Sequence, residues 1–326
     1  MTTRREILIG GLMAGTAGLL RGAGTLFAKG PQPSTKIHFD VPRAACDCHV
    51  HVFGPQDRYP FFAGRTYSPD TATVQELKPM LAALRLDRVI VVQPSVYGTD
   101  NTCTLDAIRE LGDRARGVAV IDEKTTDAEL DRMAKDGRIR GVRLNLSQVG
   151  INEPAAALKA FQAVANRAKP RGWHVQFNTS LKIIEAIAPQ LLASPVPVVF
   201  DHFGGARGSA GVGQPGFAAM VNLVKVGKAY VKISGAADSV STNPPDYPDA
   251  LPLARALVAA NPQRILWASN WPHPGSAPGR KIAELSPNKE VDDGLVLNLL
   301  PVWVPDAATR RTILVDNPAK LYGFTT

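Results

Sequence analysis

Two histidines separated by one residue form the clearest chemical pattern in this sequence. His49 and His51 lie in the segment Ala45–Pro55, which reads ACDCHVHVFGP, and Asp47 lies two residues before the first of them. Alternate side chains of a β-strand point to the same face, so the two imidazoles would converge on one point. Convergent imidazoles can bind a metal ion or transfer protons. The apolar residues before the pair and the Phe-Gly-Pro after it predict a buried strand that ends in a functional loop.

The elements that would position this site alternate regularly along the chain. Short β-branched runs are followed by segments whose apolar residues have helical spacing. Eight such units over about 250 residues favour a closed (β/α)8 barrel. The alternative, a doubly wound open sheet, has less support because no glycine-rich phosphate turn follows the first strand. The predicted strands are 44–51, 88–92, 116–121, 139–145, 173–178, 196–201, 229–234 and 265–269.

In such a barrel the active site lies at the carboxyl ends of the strands. The fourth predicted strand ends with Arg143 and Asn145, the sixth is followed by His202, and the eighth leads to Asn270 and His273. Arg143 could bind a substrate carboxylate with its guanidinium fork or form an ion pair that stabilises the barrel. Both interpretations stay open at this point.

Other polar or reactive residues have structural interpretations. His174 lies early in the fifth strand, which predicts a core histidine whose hydrogen bonds are satisfied. The three cysteines, Cys46, Cys48 and Cys103, are expected to be buried and free, because the first two are too parallel on one strand for a disulfide.

Composition narrows the class of partner. The chain has 326 residues, 45% of them hydrophobic, and a formal net charge of +8. Its basic residues are not clustered and are not interleaved with aromatic residues, which argues against a nucleic-acid partner and favours a small anionic molecule.

Residues 1–30 are typical of a twin-arginine signal peptide. Arg4 and Arg5 precede an uncharged, glycine-rich stretch, 7–20, which is too short for a stable membrane span. A retained anchor is the alternative. We therefore expect recognition by the twin-arginine export machinery, a periplasmic location without membrane insertion after cleavage, and one folded domain over 31–326.

Five segments together resemble the amidohydrolase-related family, most closely its 2-pyrone-4,6-dicarboxylate lactonase branch. They are DCHVHVFGP (47–55), YGTDN (97–101), GVRLN (141–145), DHFG (201–204) and WASNWPHP (267–274). The resemblance implies a distorted (β/α)8 barrel in which His49, His51 and His202 polarise a lactone carbonyl. It also implies that Tyr67 and Arg143 bind the substrate.

The sequence departs from that branch where water would be activated. The strand-eight aspartate of the branch is replaced by Asn270, and an amide cannot take a proton at neutral pH. Family arginines expected near Val149 and Asp238 are absent, and a tyrosine of the fifth strand is Asn178. These changes argue against the pyrone dicarboxylate itself. The Asn-Trp-Pro-His at 270–273 is instead similar to the galactarolactone isomerases, which need no activated water.

The resulting prediction is a hydrolase of a small lactone or cyclic ester, derived from a carboxylated sugar acid or an aromatic-degradation intermediate. Asn270 would orient the nucleophile, His202 or His273 would carry the proton, and Arg143 with Tyr67 would hold a carboxylate. A lactone isomerase without net hydrolysis is the first alternative. Others are Zn²⁺ bound by His49 and His51 in a metal-dependent decarboxylase, and a non-catalytic binding protein.

Overall fold

Eight parallel strands follow one another around a single sheet in chain order, which confirms the predicted barrel. The computed structural model describes residues 30–135, 138–148, 150–275 and 279–325. Among these residues, a separate two-stranded pair lies outside the barrel sheet. The barrel strands are β1 (Cys46–Val50), β3 (Arg88–Val92), β4 (Ala115–Ala119), β5 (Ile139–Asn145), β6 (His174–Asn178), β7 (Val198–Phe200), β8 (Ala229–Ile233) and β9 (Ile265–Trp267); the outer pair is β2 (Ser68–Pro69) and β10 (Leu285–Ser286).

Helices cover the outside of the barrel. The local sequence explains where some begin: Thr126 and Glu129 form a reciprocal capping box before α3, a motif worth about 1 kcal/mol. The fifth predicted helix is interrupted at Ile187, just before Pro189, and becomes two short helices. The helices are α1 (Val74–Ala83), α2 (Thr102–Leu111), α3 (Asp127–Lys135), α4 (Pro154–Ala168), α5 (Leu181–Ala186), α6 (Ala188–Leu192), α7 (Phe217–Lys225), α8 (Ala250–Ala260), α9 (Asp293–Asn298), α10 (Leu300–Trp303), α11 (Ala307–Arg311) and α12 (Asn317–Tyr322).

The barrel closes between its first and last strands through a distorted seam. The backbone N–H of Asn270 donates to the carbonyl of His49 over 3.0 Å, and that of His51 donates to the carbonyl of Trp271 over 2.8 Å. The register of β1 against β3 shifts between Asp47 and Val50. The last two residues of β1 and the loop after it therefore bend toward the last strand, which places the two histidines at the mouth of the barrel.

Two apolar clusters hold the barrel together. The larger one joins the outer faces of the strands to the helices. The smaller one contains Cys46 and Cys48 with alternate residues of other strands, such as Val92 and Leu266, and lies inside the barrel. All three cysteines are buried and free, as predicted.

The predicted signal peptide lies outside the described residues, except for Gly30, and it stays a prediction. Within the described part of the chain, no helix combines the length and apolar character that a membrane crossing requires.

Candidate active site

A polar cleft of about 410 Å³ opens at the carboxyl ends of the barrel strands. Six of the eight predicted site residues line it: His51, Tyr67, Arg143, Asn145, His202 and Asn270. His49 is completely buried and contacts His51 from beneath the cleft. His273 is buried too and is not among the residues that line the cleft.

The turn after β7 places His202 at the rim by an uncommon backbone path. Four consecutive residues, from His202 to Gly205, have positive φ angles between 47° and 79°. A side chain at Gly205 would place its Cβ 2.5 Å from the carbonyl oxygen of Thr179, so glycine is required at that point. Asn270 and His273 also have positive φ angles, so three predicted site residues sit in backbone conformations that cost energy.

A buried cluster of charges, which we call the Asp201 cluster, supports the cleft from below. Oδ1 of Asp201 lies 3.1 Å from His49 Nδ1 and 3.2 Å from Lys232 Nζ. Its Oδ2 accepts hydrogen bonds from Arg143 Nε over 3.0 Å and from Gln176 Nε2 over 3.1 Å. Lys232 also donates to Gln176 Oε1 over 2.8 Å. Each carboxylate oxygen therefore has two donors or cations beside it.

The contacts of His51 indicate where the protons of the two histidines lie. His51 Nδ1 is 2.7 Å from the carbonyl oxygen of Val92, so it must donate, and the neutral ring has a bare Nε2. That Nε2 lies 3.2 Å from His49 Nε2, so His49 donates there and keeps a bare Nδ1. This Nδ1 accepts from the Lys232 ammonium over 3.1 Å. All three hydrogens of Lys232 then have acceptors.

The histidines around the cleft are neutral at ordinary pH. Burial, with a smaller contribution from the positive charge of Arg143, lowers the pKa of His51 to about 3. Burial lowers the pKa of His202 to about 4, although the charge of Asp201 opposes this shift. Burial and the Lys232 charge also hold the pKa of His49 well below its usual value. These rings can therefore donate or accept hydrogen bonds without carrying charge.

Asp201 stays ionised within this buried cluster. Burial alone would raise its pKa, but the positive charges of Lys232 and Arg143 and the contact with His49 hold the pKa of Asp201 well below its usual range. Lys232 is completely buried, and burial lowers its pKa although Asp201 opposes the shift. The carboxylate and the ammonium thus stabilise each other's charge.

A second polar group lies on the opposite side of the cleft and is centred on Asp238. Its Oδ2 accepts from Asn270 Nδ2 over 2.9 Å and pairs with His273 Nδ1 at 2.8 Å. His273 Nε2 pairs with Asp293 Oδ1 at 3.0 Å, so both its ring nitrogens are committed. Burial opposes the protonation of His273, but the two carboxylates raise its pKa to about 10. We therefore describe His273 as an imidazolium that supports Asp238 from outside the cleft.

Arg143 realises both of its predicted roles in position. Its Nε pairs with the buried Asp201, while the side chain also lines the cleft. Its two outer guanidinium nitrogens make no hydrogen bond to a described residue and are available to a ligand. Asn145 accepts from Asn178 Nδ2 over 2.7 Å, which fixes two amides beside Arg143 at the rim.

Several site residues escaped the sequence analysis as participants. Lys232 and Gln176 carry polar groups at inward positions of buried strands, and the same alternation that identified His49 would have found them. Asp238 and Asp293 lie outside the strands and gave no such signal.

The interpretation of His174 as a satisfied core histidine is wrong in one respect. The ring is buried against Tyr322, but neither of its nitrogens has a hydrogen-bond partner among the described residues. Its pKa is lowered to about 3 by burial, so the ring is buried in its neutral form.

A cluster capable of binding a metal ion is present. Donor atoms of His49, Asp201 and His202 lie within 4.8 Å of one another, and His51 Nε2 is 3.2 Å from His49 Nε2. The latter distance suits two imidazoles on one Zn²⁺ ion with bonds of about 2.0–2.1 Å.

The parallel barrel and the histidine cluster at its carboxyl end define the class of (β/α)8 enzymes that act on small molecules in a polar cleft. Comparison with known families makes this specific: the profile of the amidohydrolase family matches residues 46–324. The chain belongs to this family.

Characterised relatives within the family cover nearly the whole chain. It is 35% identical to a 4-sulfomuconolactone hydrolase of Hydrogenophaga intermedia, over 90% of this chain and 94% of that protein. It is 29% identical to a D-galactarolactone isomerase of Agrobacterium fabrum, over 86% and 91% of the two chains. A crystal structure from Acinetobacter baumannii, described as a "probable 2-pyrone-4,6-dicarboxylic acid hydrolase" with citric acid bound, is 29% identical with a TM-score of 0.71, and covers 86% of this chain and 100% of its own.

Proposed function

We propose that this protein hydrolyses a small lactone that carries an anionic group, either a carboxylate or a sulfonate. The observation that carries the proposal is the placement of neutral His202 and cationic Arg143 in one cleft above the Asp201 cluster. The similarity to hydrolases of 4-sulfomuconolactone and of pyrone dicarboxylate supports the lactone as the substrate class.

His202 is suited to bind the carbonyl oxygen of the lactone. Its Nδ1 lies 2.9 Å from Ser234 Oγ, which leaves Nε2 for the cleft. With Ser234 as the donor to Nδ1, the neutral ring carries its hydrogen on Nε2 and can donate it to the substrate. Such a donor binds the developing oxyanion more strongly than the ground-state carbonyl, which lowers the barrier to attack.

Arg143 is suited to hold the anionic group of the substrate. Because Nε is fixed on Asp201, the guanidinium plane cannot rotate freely, and its outer nitrogens present a preorganised fork. Tyr67 lies on the same cleft lining and would complete this end of the site. Asp238, at the opposite side, disfavours a second anionic group there, which is consistent with a monoanionic substrate.

Zn²⁺ on His49 and His51 is a proposal that the donor set permits. Binding would require His49 to carry its proton on Nδ1, where it can donate to Asp201, and to free Nε2 for the ion. The ion would polarise the carbonyl or a bound water. Lys232 would lose one acceptor, and the Asp201 cluster already has two cations for one carboxylate.

We therefore expect weak binding of Zn²⁺ to the purified protein. Titration of zinc-free protein should saturate at one ion per chain, and dialysis against a chelator should remove the ion. His49→Ala should abolish this stoichiometric binding, whereas His38→Ala, at an exposed histidine, should not. Metal analysis after equilibrium dialysis measures the outcome, and no binding at all would remove zinc from the proposal.

Isomerisation of a hydroxylated lactone is the second candidate. Asn270 is the observation that favours it, because a substrate hydroxyl held beside the carbonyl needs no water-activating residue at this position. The D-galactarolactone isomerase relative supports this alternative.

A panel of lactones tests the proposed activity. We expect the protein to convert at least one among pyrone carboxylates, carboxylated or sulfonated muconolactones and aldaric-acid lactones, as followed by proton NMR. Conversion by the wild-type protein should be lost in His49→Ala, which breaks the contacts that hold His51 and Lys232. Failure to convert any anionic lactone would contradict the proposal.

The proposed location is the periplasm. It rests on the Arg4-Arg5 segment and the apolar stretch after it, which together favour export by the twin-arginine machinery.

A further inference from the structure

The cleft contains a carboxylate that neither the carbonyl contact of His202 nor the anion fork of Arg143 uses. Asp238 follows β8 in the segment Ala236–Val240, which forms a π-helical turn. Its side chain is only 9% exposed, and the residue lines the cleft beside Asn270. Hydrolysis and isomerisation both require a hydroxyl nucleophile to be oriented and to lose its proton, and Asn270 cannot accept that proton.

The two oxygens of Asp238 have different surroundings. Oδ2 is occupied by Asn270 and His273. Oδ1 is buried and makes no hydrogen bond to any residue in the described ranges, and the nearest cation, Lys289 Nζ, is 3.7 Å away. A buried carboxylate oxygen without a donor is costly, so its free lone pairs indicate a donor supplied by a ligand.

Three neighbours keep Asp238 ionised and fixed in place. The His273 imidazolium and the Lys289 ammonium supply positive charge, while the Asn270 amide donates the third contact. Because Asn270 Nδ2 points to Asp238, the orientation of the amide is determined. The role of Asn270 is therefore to hold a neighbouring carboxylate, which is a role that an aspartate could not perform.

We propose that Asp238 Oδ1 accepts the hydrogen bond of the nucleophilic hydroxyl and supplies the carboxylate that Asn270 lacks. This inference rests on the proposed function. As the nucleophile's oxygen bonds to the acyl carbon, its proton passes to Asp238. As the bond between the acyl carbon and the ring oxygen breaks, the ring oxygen takes the electron pair and then that proton. The same oxygen of Asp238 can serve water or a substrate hydroxyl.

Asp293 provides a matched control for Asp238. Both carboxylates pair with His273, but only Asp238 is among the residues that line the cleft. Asp238→Asn should lower kcat by about 100-fold or more, the scale of a general base. Asp293→Asn should lower the melting temperature but leave kcat within about threefold of wild type. Equal losses of kcat in the two variants would show that Asp238 acts only by stabilising His273, and would overturn the proposal.

Exchange of the two cleft residues tests whether the carboxylate itself matters. The double variant Asp238→Asn/Asn270→Asp moves the carboxylate by one hydrogen-bond distance, and should recover at least about tenfold of the kcat lost in Asp238→Asn. No recovery in a folded double variant would contradict the interchange of roles.

A binding measurement that needs no turnover separates this inference from the proposed function. Citrate and tricarballylate differ by one hydroxyl group, and calorimetry can compare their dissociation constants. Wild type should prefer citrate by about tenfold, the scale of a hydrogen bond to a charged group, and Asp238→Asn should lose this preference. A preference present without lactone turnover would support Asp238 while contradicting the lactonase. Absence of the preference, or of citrate binding, would overturn the role of Asp238.

Discussion

His202→Ala is expected to lower kcat on the protein's lactone substrate by about 100- to 1,000-fold, with a much smaller change in KM. The imidazole is placed at the rim by a run of left-handed residues, and Ser234 fixes its ring. Removal of one donor to a developing oxyanion typically costs about 2.7–4 kcal/mol in the barrier. Because the contact strengthens in the transition state, the loss should fall mainly on kcat.

Two further variants show whether the loss reports the lost donor. His202→Gln, which keeps an N–H donor on a side chain of similar reach, should recover part of the activity. His38→Ala removes an exposed histidine and should have no effect. Steady-state kinetics on folded variants provides the measurement, and an unchanged kcat in His202→Ala would show that the oxyanion is bound elsewhere.

His273→Gln is expected to destabilise the fold in a way that depends on pH. The substitution leaves Asp238 and Asp293 buried without their common cation, and breaking such a pair typically costs about 3–5 kcal/mol. The pKa of His273 is raised to about 10 in the folded protein, above the usual value near 6.5. The stabilisation by the imidazolium is thus fully present below about pH 6.5 and is lost as the pH rises through about 10.

Urea unfolding of wild type and variant at several pH values measures this effect. The difference in free energy of unfolding should be largest near pH 6 and should narrow steadily toward pH 10. His174→Gln is the control, because His174 is buried as the neutral ring with a pKa of about 3. Its cost should not change between pH 7 and pH 10. A constant gap for His273→Gln across that range would contradict the charged state assigned to His273.

The barrel and most of the cleft residues were accessible from the sequence because they depend on local periodicity. Inward positions of buried strands alternate, so the pattern alone assigns His49, His51, Arg143 and Asn145 to one region of the barrel. His202 was recognisable because it follows a strand and precedes two glycines that its turn requires.

The charge partners were not accessible, because they arise from tertiary placement. The contacts of Asp201 with Lys232 and Gln176 join three different strands and need the barrel to be closed. Asp238 lies on a π-helical turn, and the family resemblance drew attention to it only as the site of a missing arginine. Its pairing with His273 explains why that histidine supports the site from outside the cleft.

The most direct test of the central claim is the fate of solvent oxygen during turnover. Purified protein is incubated in ¹⁸O-water with the lactone that it converts, and the product is analysed by mass spectrometry. Hydrolysis in this cleft predicts an opened acid that contains one ¹⁸O atom per turnover, with this incorporation lost in Asp238→Asn. A rearranged lactone without ¹⁸O would contradict hydrolysis and establish the isomerase.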